Sequence, residues 1–330
     1  MHVGIVYDLK SDYSIDADDV SYCDFSNLLE IQHIQNVLQQ RGHHVTLIGN
    51  PYMFATLLRQ EKLNGIDIIM NFGEGFRSRN RESLVPALCE IYKIPYTFSD
   101  SYAMGLTLHK HQTMLFAESL GIKAPKGFLF YPNLYDIKEL PSLCTKYNIS
   151  FPIISKPNRE GTSMGLALSN NFDELVENIL GNYAVYNQEI RCDEYIGGHE
   201  IAVPILGSDN DARVLGIVEY RNLDDSLITY YTTDIKEKNR HKTLFQSFGK
   251  YDDIIKETAL LIHKSIPCYD ISRIDMKFFN NTPYLLEVTT IPGMNPGSTF
   301  EMCAMKNGMQ PGDMYDHILE SAMKRFRGKK

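Results

Sequence analysis

Two acidic side chains near the end of the sequence lie in a pattern that could hold a metal ion. The stretch SRIDMKFFNNTPYLLEVTT reads as two alternating strands joined by a polar turn. With Asn280 to Thr282 as the loop, Asp275 lies opposite Glu287, and Arg273 lies opposite Thr289. Opposed like charges repel at about 5 Å, whereas Mg²⁺ is commonly held by one or two carboxylates together with substrate phosphates. The spacing therefore predicts a magnesium site on this hairpin.

Two other interpretations of the hairpin stay open. Its charged face could simply be hydrated, or Glu287 could pair with Arg273 or Lys277 on the neighbouring strand. A carboxylate set between Leu286 and Val288 is costly to bury unless a cation satisfies it. The fold is therefore expected to bring a metal ion or a basic side chain next to Glu287.

A glycine-rich segment that follows a lysine is typical of phosphate binding. KPNREGTSMG begins at Lys156, follows the apolar pattern FPIIS, and places Thr162 and Ser163 between two glycines. Small residues let backbone N–H groups approach phosphate oxygens, and lysine supplies a positive charge. Lys110, at a predicted helix start in LTLHKHQT, offers a second cation where helix N–H groups favour anions. A plain turn would also explain the glycine-rich segment, and a hydrated surface residue would also explain Lys110. Neither segment alone therefore establishes a phosphate site.

The segment QEIRCDEYIGGHEIAV could bind a nucleoside. Its Gly197-Gly198 pair separates two strand patterns, with Asp193, Glu194 and Glu200 nearby. A nucleotide over this connection could use backbone groups for its base and Glu200 for its ribose hydroxyls. A simple hairpin turn with exposed acids is the alternative.

Three arginines follow a predicted buried strand in NFGEGFRSRNRES, which contains Glu74, Arg77, Arg79 and Arg81. The carboxyl edge of a parallel sheet is where open α/β domains bind ligands. Arginines there could hold a substrate carboxylate or phosphate by forked hydrogen bonds. A solvated loop, or Arg–Glu pairs at the start of the next helix, would explain the same residues.

Composition excludes several classes of protein. A net charge of −8 and an isoelectric point near 5.7 argue against nucleic-acid binding. The six cysteines show no C-x-x-C spacing, which disfavours a zinc site or a redox pair. MHVGIVYDLK lacks the basic start of a signal peptide, and no apolar run reaches membrane-spanning length. We therefore expect a cytoplasmic protein that does not enter a membrane.

Strand and helix patterns alternate through the first hundred residues. HVGIVYD, HHVTLIG and GIDIIMNF read as strands, whereas FSNLLEIQHIQNVLQQRG and RESLVPALCEIYK read as helices. This alternation predicts a parallel sheet with crossover helices. The first hundred residues contain neither G-x-G-x-x-G nor a P-loop motif, which disfavours a dinucleotide-binding domain and a P-loop nucleotide site.

The pattern changes after residue 100. A helix is predicted around 109–121, a strand near 127–131 and a helix near 134–147. EIRCDEYI, EIAVPIL, RVLGIVEY and LITYYT then read as closely spaced strands, and a helix follows at 252–265. Runs of strands followed by a helix indicate an antiparallel α+β unit. The expected units are residues 1–100, 101–187 and 188–330.

Taken in order, these segments resemble the ATP-grasp superfamily, and most closely its D-alanyl-D-alanine ligase branch, over about residues 85 to 325. The motifs that carry the resemblance are KPNREGTSMG, RIDMKFF and LLEVTTIPGMNPGS. The resemblance implies an ATP-grasp fold whose central and C-terminal subdomains clasp ATP, preceded by an open α/β (pre-ATP-grasp) domain. It also implies a homodimer.

The resemblance assigns most of the candidate residues to ATP and Mg²⁺. Asp275 and Glu287 fall on the magnesium-binding carboxylates, and Thr289 replaces the asparagine that usually makes a third metal contact. The remaining residues would contact ATP: Lys110 and Lys156 its phosphates, with Thr162 and Ser163 in the adjoining loop, Asp193, Glu194 and Ile196 its adenine, Glu200 its ribose, and Lys236 its γ-phosphate.

Three more positions match the family's catalytic motif. Arg273 would steady the transferring phosphoryl group, Gly293 would donate a backbone N–H to the tetrahedral oxyanion, and Ser298 would hold the acceptor's carboxylate. The implied reaction is ADP-forming ligation of a carboxylate to an amine through an acyl phosphate.

The first hundred residues depart from D-alanyl-D-alanine ligases. DLKSDYSIDADDVSYCDFSN replaces a short Gly- and Ser-rich loop, and no residue in it pairs with the glutamate that meets the first D-alanine. We therefore expect the chemistry to be shared and a different amino acid or specialised metabolite to be the substrate. A true D-alanyl-D-alanine ligase, an ATP-grasp phosphotransferase and a nucleotide-binding protein without turnover are the alternatives; Thr289 is the only residue that suggests the last.

Overall fold

The computed structural model describes residues 1–16, 22–233, 235 and 241–327. Its first sheet is parallel, as the sequence predicts, with strand order β2-β1-β3. The strands are β1 (His2–Tyr7), β2 (His44–Gly49) and β3 (Ile68–Phe72), and the crossover helices are α1 (Leu28–Gln40), α2 (Pro51–Arg59) and α3 (Leu84–Tyr92).

Side chains at the helix starts explain where the first crossovers begin. The side chain of Asn27 accepts a hydrogen bond from the Glu30 N–H and caps α1, and Asn50 caps α2 from the Met53 N–H. Pro51 then occupies the first turn of α2, where a missing N–H costs nothing.

Two helices precede the second sheet, where the sequence predicts one. They are α4 (Ser101–Leu108) and α5 (Lys110–Ser119), and His109 lies between them. Both pack on the third sheet: Ala103 of α4 and Met114 of α5 share a buried core with Ile201. Lys110 is therefore the first residue of a helix that packs against the third sheet.

The second sheet is antiparallel with strand order β4-β7-β5-β6. Its elements are β4 (Gly127–Phe130), α6 (Leu140–Lys146), β5 (Ile153–Pro157), β6 (Ala167–Ser169), α7 (Phe172–Tyr186) and β7 (Ile190–Glu194). The expected boundary at residue 187 falls before β7, which the structure places in this sheet. The change of sheet occurs between Glu194 and His199.

The third sheet is antiparallel and has six strands, with β11-β10-β8-β12-β13 in order and β9 paired to β8. Its elements are β8 (His199–Leu206), β9 (Arg213–Val214), β10 (Val218–Asn222), β11 (His241–Phe245), α8 (Asp252–Ser265), β12 (Ile271–Phe279) and β13 (Thr282–Thr289). The strand expected in LITYYT is wrong: residues 227–232 form no strand beyond one bridge between Arg221 and Leu227.

Two C-terminal helices close the molecule against the first sheet. They are α9 (Thr299–Lys306) and α10 (Pro311–Arg327). Met314 and Ile318 of α10 are fully buried in the same core as Ile31 and Ile34 of α1. None of the helices in the described ranges is long and apolar enough to cross a membrane.

Candidate active site

A cleft of about 1180 Å³ is lined by residues of all three units of the chain. Most residues that the sequence singles out lie in its wall: Glu74, Lys110, Lys156, Thr162, Ser163, Asp193, Glu194, Ile196, Glu200, Arg273, Asp275, Glu287, Thr289, Gly293 and Ser298. Arg77, Arg79 and Arg81 do not line this cleft. Lys236 lies outside the described residues.

The predicted acidic pair forms, although by a different register from the expected one. The turn contains only Asn280 and Asn281, both with positive φ, so Phe279 pairs with Thr282 rather than facing Pro283. A β-bulge then inserts Leu286 into β13. The two differences cancel, so Asp275 still pairs with Glu287 and Arg273 with Thr289.

Both carboxylates contact basic side chains in the cleft wall. Glu287 Oε1 lies 2.7 Å from Lys110 Nζ, which supplies the cation that this carboxylate requires. Arg273 grips Asp275 with two hydrogen bonds, Nε to Oδ1 at 2.8 Å and Nη2 to Oδ2 at 2.7 Å. Lys277, which the sequence offers as another partner of Glu287, lies 2.7 Å from Glu200 Oε2.

The donor set of this pair fits a magnesium ion. Asp275 and Glu287 retain 18% and 25% of their side-chain exposure, so both can be reached from the cleft. Hard carboxylate oxygens are the ligands that Mg²⁺ prefers. No group of three or more His, Cys, Asp and Glu side chains in the described ranges is arranged to hold a metal. The protein would thus supply two carboxylates, and phosphate and water oxygens would supply the rest.

The glycine-rich loop after β5 is held close to the two lysines. Lys156 Nζ lies 3.3 Å from Asp193 Oδ2, while Lys110 Nζ donates to the backbone carbonyl of Glu160 at 2.5 Å. Burial lowers the pKa of Lys156; the nearby Arg191 adds to this shift and Asp193 opposes it. An anion in this part of the cleft would relieve the cost of burying two ammonium groups.

The backbone of the loop is constrained on the cleft side. Thr162 and Ser163 have φ values of 50° and 59°, in the left-handed region. The hydroxyl of Thr233 donates to the Thr162 carbonyl at 2.9 Å and so joins the loop to the segment before β11. Within that segment, residues 234 and 236–240 are outside the described residues.

The connection between β7 and β8 lies at the other end of the cleft. Glu194 accepts a hydrogen bond from the Lys126 N–H at 2.9 Å, and Tyr195 donates to the Thr229 carbonyl at 3.1 Å. Gly198 has φ +87°, and a Cβ there would lie 2.4 Å from the Phe278 carbonyl oxygen. Only glycine therefore allows this close turn beside Ile196.

The segment after β13 places Gly293 and Ser298 in the cleft wall. Glu30 Oε1 accepts a hydrogen bond from the Met294 N–H at 2.7 Å, which fixes this segment to α1. Ser298 caps α9, since its side chain accepts from the Glu301 N–H at 3.4 Å. No acceptor for the hydroxyl proton of Ser298 is present among the described residues, so this proton can be donated to a ligand.

The three arginines after β3 do not line the cleft, and two of them, Arg77 and Arg79, are exposed. Arg81 is buried, and its guanidinium lies 2.5 Å from Asp24 Oδ2 and 3.1 Å from Glu74 Oε2. Arg77 stacks on Phe76, with Cζ 4.7 Å from the ring centroid. Arg79 lines a second, more open depression of about 510 Å³. The Arg–Glu pairing that the sequence left open is thus the arrangement observed for Arg81.

Four carboxylates in the described part of the cleft wall were missed by the sequence interpretation: Asp24, Glu30, Glu82 and Glu160. Glu30 lies in the segment predicted as the first helix. Glu82 follows Arg81 directly, and Glu160 lies inside the glycine-rich motif, so both were within segments already singled out. Asp24 lies in the acidic stretch of residues 8–27, where nothing in the sequence distinguishes it from its acidic neighbours.

Known ligases are similar to this chain in sequence. A family model described as the D-ala D-ala ligase C-terminus matches residues 127–320. The D-alanine–D-alanine ligase of Aquifex aeolicus is 31% identical over 279 residues, covering 84% of this chain and 88% of the relative. The chain belongs to the D-alanine–D-alanine ligase family. The ligase of Halalkalibacterium halodurans is 26% identical and covers 88% of this chain and 92% of its own length.

Solved structures of the D-alanine–D-alanine ligase family share the whole fold. The Bacillus anthracis ligase complexed with ATP superimposes with a TM-score of 0.78 at 19% identity, covering 100% of this chain and 99% of its own. The Enterococcus faecalis VanG D-Ala:D-Ser ligase gives 0.75 at 17% identity and covers 97% and 99%. The ATP-grasp fold class is confirmed, and the chain is an ATP-dependent, ADP-forming carbon–nitrogen ligase that acts on small molecules.

Proposed function

We propose that this chain uses Mg²⁺ and ATP to phosphorylate the carboxylate of one small molecule and then joins it to the amine of another. A carboxylate oxygen attacks the γ-phosphorus, and ADP leaves. The amine nitrogen then attacks the acyl carbon, the bond from that carbon to the phosphate oxygen breaks, and a proton leaves the nitrogen. The carrying observation is the opposed Asp275–Glu287 pair, with Arg273 and Lys110 beside it in one cleft.

The cleft wall contains a residue suited to each requirement of phosphoryl transfer. Asp275 and Glu287 would hold Mg²⁺, which when bound neutralises phosphate charge, and Thr289 would contact a metal-bound water. Lys110 and Lys156 would bind phosphate oxygens, with backbone N–H groups near Thr162 and Ser163. These groups act by position and charge, the main means by which proteins promote this reaction.

The remaining roles concern the nucleoside and the second step. The backbone of residues 193–196 would contact adenine, and Glu200, already held by Lys277, would accept from the ribose hydroxyls. Arg273 would steady the phosphoryl group, the Gly293 N–H would donate to the oxyanion, and Ser298 would donate to the acceptor's carboxylate. Lys236 keeps its proposed γ-phosphate role, although it lies outside the described residues.

We propose that the substrates differ from those of the D-alanine–D-alanine ligases. The acidic N-terminal stretch provides Asp24 and Ser26 to the cleft, and Glu74 joins them from the loop after β3. These residues stand where the sequence departs from D-alanyl-D-alanine ligases. The three arginines, for which the sequence left a substrate role open, are not part of the proposal, because none of them lines the cleft and Arg81 is already paired.

The reaction is tested by incubating the chain with ATP, Mg²⁺ and pools of amino acids. The expected result is release of ADP and phosphate with a mass-shifted amide, and hydroxylamine should trap the acyl phosphate as a hydroxamate. ADP release with a stable phosphorylated product would instead indicate a phosphotransferase. ATP binding without turnover in every pool would overturn the ligase proposal.

We also propose that the chain works in the cytoplasm as a homodimer. The described structure contains all six cysteines as free thiols, which suits a reducing compartment. The homodimer rests on the family resemblance. Light scattering coupled to gel filtration should give twice the 37.8 kDa chain mass, and a monomeric mass at assay concentrations would contradict this part.

A further inference from the structure

A segment without regular structure carries two of the residues proposed for the amide-forming step. Residues 291–298, which we call the acceptor segment, lie between β13 and α9 and include Gly293 and Ser298, both in the cleft wall. Two of its eight residues are prolines and two are glycines. The Ser298 N–H donates to the Asn295 carbonyl at 2.8 Å, which closes a turn but does not orient Gly293. Contacts from other elements must therefore fix the direction of the Gly293 N–H and of the Ser298 hydroxyl.

Helix α1 presents a row of polar side chains to the acceptor segment. Asn27, Glu30 and His33 are three positions apart, so they lie along one face of the helix and its cap. The Asn27 side-chain amide donates to Asn295 Oδ1 at 3.4 Å. The Met294 N–H donates to Glu30 Oε1 at 2.7 Å, across a separation of 264 positions in the chain. The first domain is thus joined directly to the segment that carries Gly293 and Ser298.

Glu30 fixes the peptide bond that follows Gly293. The Met294 N–H that Glu30 accepts belongs to this peptide, and both residues are buried. An N–H left unpaired in such a place is costly, so the hydrogen bond holds the peptide in one orientation. Burial raises the pKa of Glu30 and the hydrogen bond from Met294 opposes this shift. The contact needs only an acceptor oxygen, which the carboxyl group offers in either protonation state.

Glu301 of α9 fixes the other end of the acceptor segment. Its Oε2 accepts a hydrogen bond from the Gly297 N–H at 2.9 Å, and its own N–H donates to Ser298 Oγ at 3.4 Å. This reciprocal arrangement is a variant of the capping box at a helix start. Since the Glu301 N–H occupies one lone pair of Ser298 Oγ, the hydroxyl proton must point away from that N–H. Glu301 therefore sets the direction in which Ser298 can donate.

His33 of α1 secures Glu301 in turn. His33 Nε2 lies 2.6 Å from Glu301 Oε1, and the two side chains are 24% and 5% exposed. One carboxylate oxygen contacts His33 and the other contacts Gly297, so Glu301 cannot turn away without breaking both contacts. In the described structure His33 does not line the cleft. It can therefore act on the acceptor segment only through Glu301.

We infer, on the basis of the proposed ligase reaction, that Glu30 and the His33–Glu301 pair are positioning residues for the amide-forming step. Glu30 orients the peptide beside Gly293, whose N–H would donate to the oxyanion. His33 and Glu301 orient the hydroxyl of Ser298, which would hold the acceptor's carboxylate. Both roles follow the attack on the γ-phosphorus, so these residues do not contribute to phosphoryl transfer. A shift of about 1 Å in such groups can slow a reaction by about a hundredfold.

The products of the two steps reveal which step a variant slows. With the amino-acid pair that the pool assay identifies, the unmodified protein should release one ADP for each amide. Slower attack by the amine leaves the acyl phosphate exposed to water for longer, and part of it is hydrolysed. Glu301→Ala and His33→Ala should therefore lower the rate of amide formation by about tenfold, raise the KM of the acceptor and raise the ratio of ADP to amide. A general loss of folded protein would instead lower both products equally.

Conservative variants provide the controls. Glu301→Gln keeps an oxygen for the Gly297 N–H and offers its NH₂ group to a neutral His33, while His33→Gln keeps a donor for Glu301. Both should retain most of the amide rate and the original ratio of ADP to amide. Gln32→Ala, at an exposed position of α1, should change neither quantity. Equal losses in the alanine and glutamine variants, or a proportional fall of ADP and amide in the alanine variants, would contradict the positioning role.

Hydrogen exchange tests the same contacts without any reaction. Mass spectrometry follows the amide hydrogens of peptides that cover residues 291–298. Glu30→Ala and Glu301→Ala should speed their exchange by about tenfold or more, whereas Gln32→Ala should not. His33→Ala, at a partly exposed site, replaces a variant whose melting curve shows that it does not fold. Unchanged exchange in the alanine variants would overturn the inference and leave the ligase standing. Absence of amide in every pool would reject the ligase, and the positioning role with it, whatever the exchange shows.

Discussion

Glu287 lies at the meeting point of the proposed metal and phosphate sites. It pairs across the hairpin with Asp275, and its Oε1 is 2.7 Å from Lys110 Nζ. We expect Glu287→Gln to lower the turnover of ATP by about a hundredfold or more, because the amide keeps the shape but removes the charge that attracts Mg²⁺. ADP release measured over a range of MgCl₂ concentrations checks this expectation.

The matched control for Glu287 is Glu257→Gln, which removes an exposed carboxylate from α8. Circular dichroism should show both variants folded at the assay temperature. Full activity of Glu287→Gln at low MgCl₂ would mean that the hairpin does not hold the metal.

Arg81 shows where prediction from residue types failed. The sequence correctly places the arginines after a buried strand, but it does not show which way each side chain turns. Arg81 is buried because Asp24, 57 positions earlier, reaches it. The backbone of Arg77 has a positive φ, and its side chain stacks on Phe76. A contact between distant segments decides the outcome for Arg81, and a single sequence carries no signal for such a contact.

At the scale of elements, the β12–β13 hairpin explains why the acidic pair was predictable. Alternation fixes which side chains share a face, and Ile274, Met276 and Val288 must face the core against α8. That constraint keeps Asp275 and Glu287 on the cleft face. The exact pairing depended on a two-residue turn and on the Leu286 bulge, and neither was recognised from the sequence.

The glycine-rich loop depends on Gly165. This residue has φ +67°, and a Cβ there would lie 2.3 Å from Asn182 Oδ1 and 2.7 Å from Pro157 Cδ. Gly165→Ala should therefore lower the melting temperature and weaken ATP binding, since Asn182 also donates to the Gly165 carbonyl at 2.7 Å. Differential scanning fluorimetry and ATP titration measure the two effects.

Gly181, one residue before Asn182 in α7, provides the control for Gly165. A Cβ there meets nothing within 4 Å, and its backbone is helical. Gly181→Ala should raise stability by about 0.5–1 kcal/mol, because alanine loses less conformational freedom in a helix, and should leave ATP affinity unchanged. Equal behaviour of the two alanine variants would show that the loop tolerates a side chain at residue 165.

Helix α8 makes stability depend on pH through His263. Its Nδ1 lies 2.7 Å from Ser272 Oγ of β12, and burial lowers the pKa of His263 to about 4. The unfolded chain binds this proton near pH 6.5, so between pH 6.5 and 4 the unfolded state holds more protons than the folded one. Stability is therefore complete above pH 6.5 and falls with pH, by about 2 kcal/mol between pH 7 and 5.

The variant His263→Gln should remove that share of the pH dependence. Urea unfolding midpoints at pH 7 and pH 5 measure it, and the difference between them should shrink in the variant. His44→Gln, which changes an exposed residue at the start of β2, should keep the full difference. An unchanged difference in His263→Gln would assign the acid sensitivity to other buried groups.

At the scale of the whole molecule, the sequence predicts the sheet types but not how the units join. The alternating strand and helix patterns of the first hundred residues suffice to predict a parallel sheet, because each strand is followed by a helix. The placement of β7 in the second sheet and of α10 on the first domain depends on which apolar faces remain uncovered. For α10 these contacts join residues hundreds of positions apart, as Ile31 and Met314 do in one core.

Asp270 ties three distant segments together behind the cleft. Its side chain is fully buried and accepts hydrogen bonds from the Phe98 N–H at 2.8 Å, Ser321 Oγ at 2.8 Å and Ser208 Oγ at 3.2 Å. Arg325 lies 3.6 Å away and donates to the Phe98 carbonyl at 3.0 Å. Burial raises the pKa of Asp270 despite Arg325, so its value to the fold lies in accepting these hydrogen bonds rather than in its charge.

Asp270→Asn should therefore destabilise the whole chain, because one acceptor oxygen becomes an NH₂ group facing other donors. The cost of leaving buried donors unpaired is about 2–4 kcal/mol, which should lower the urea midpoint and expose the cleft to proteolysis. Asp211→Asn is the matched control, since it removes the charge from the exposed 2.6 Å contact between Asp211 and Lys324 of α10 and should leave the midpoint unchanged. If Asp270→Asn kept the original midpoint, the junction between α10, β12 and the first domain would have to rest on apolar packing alone.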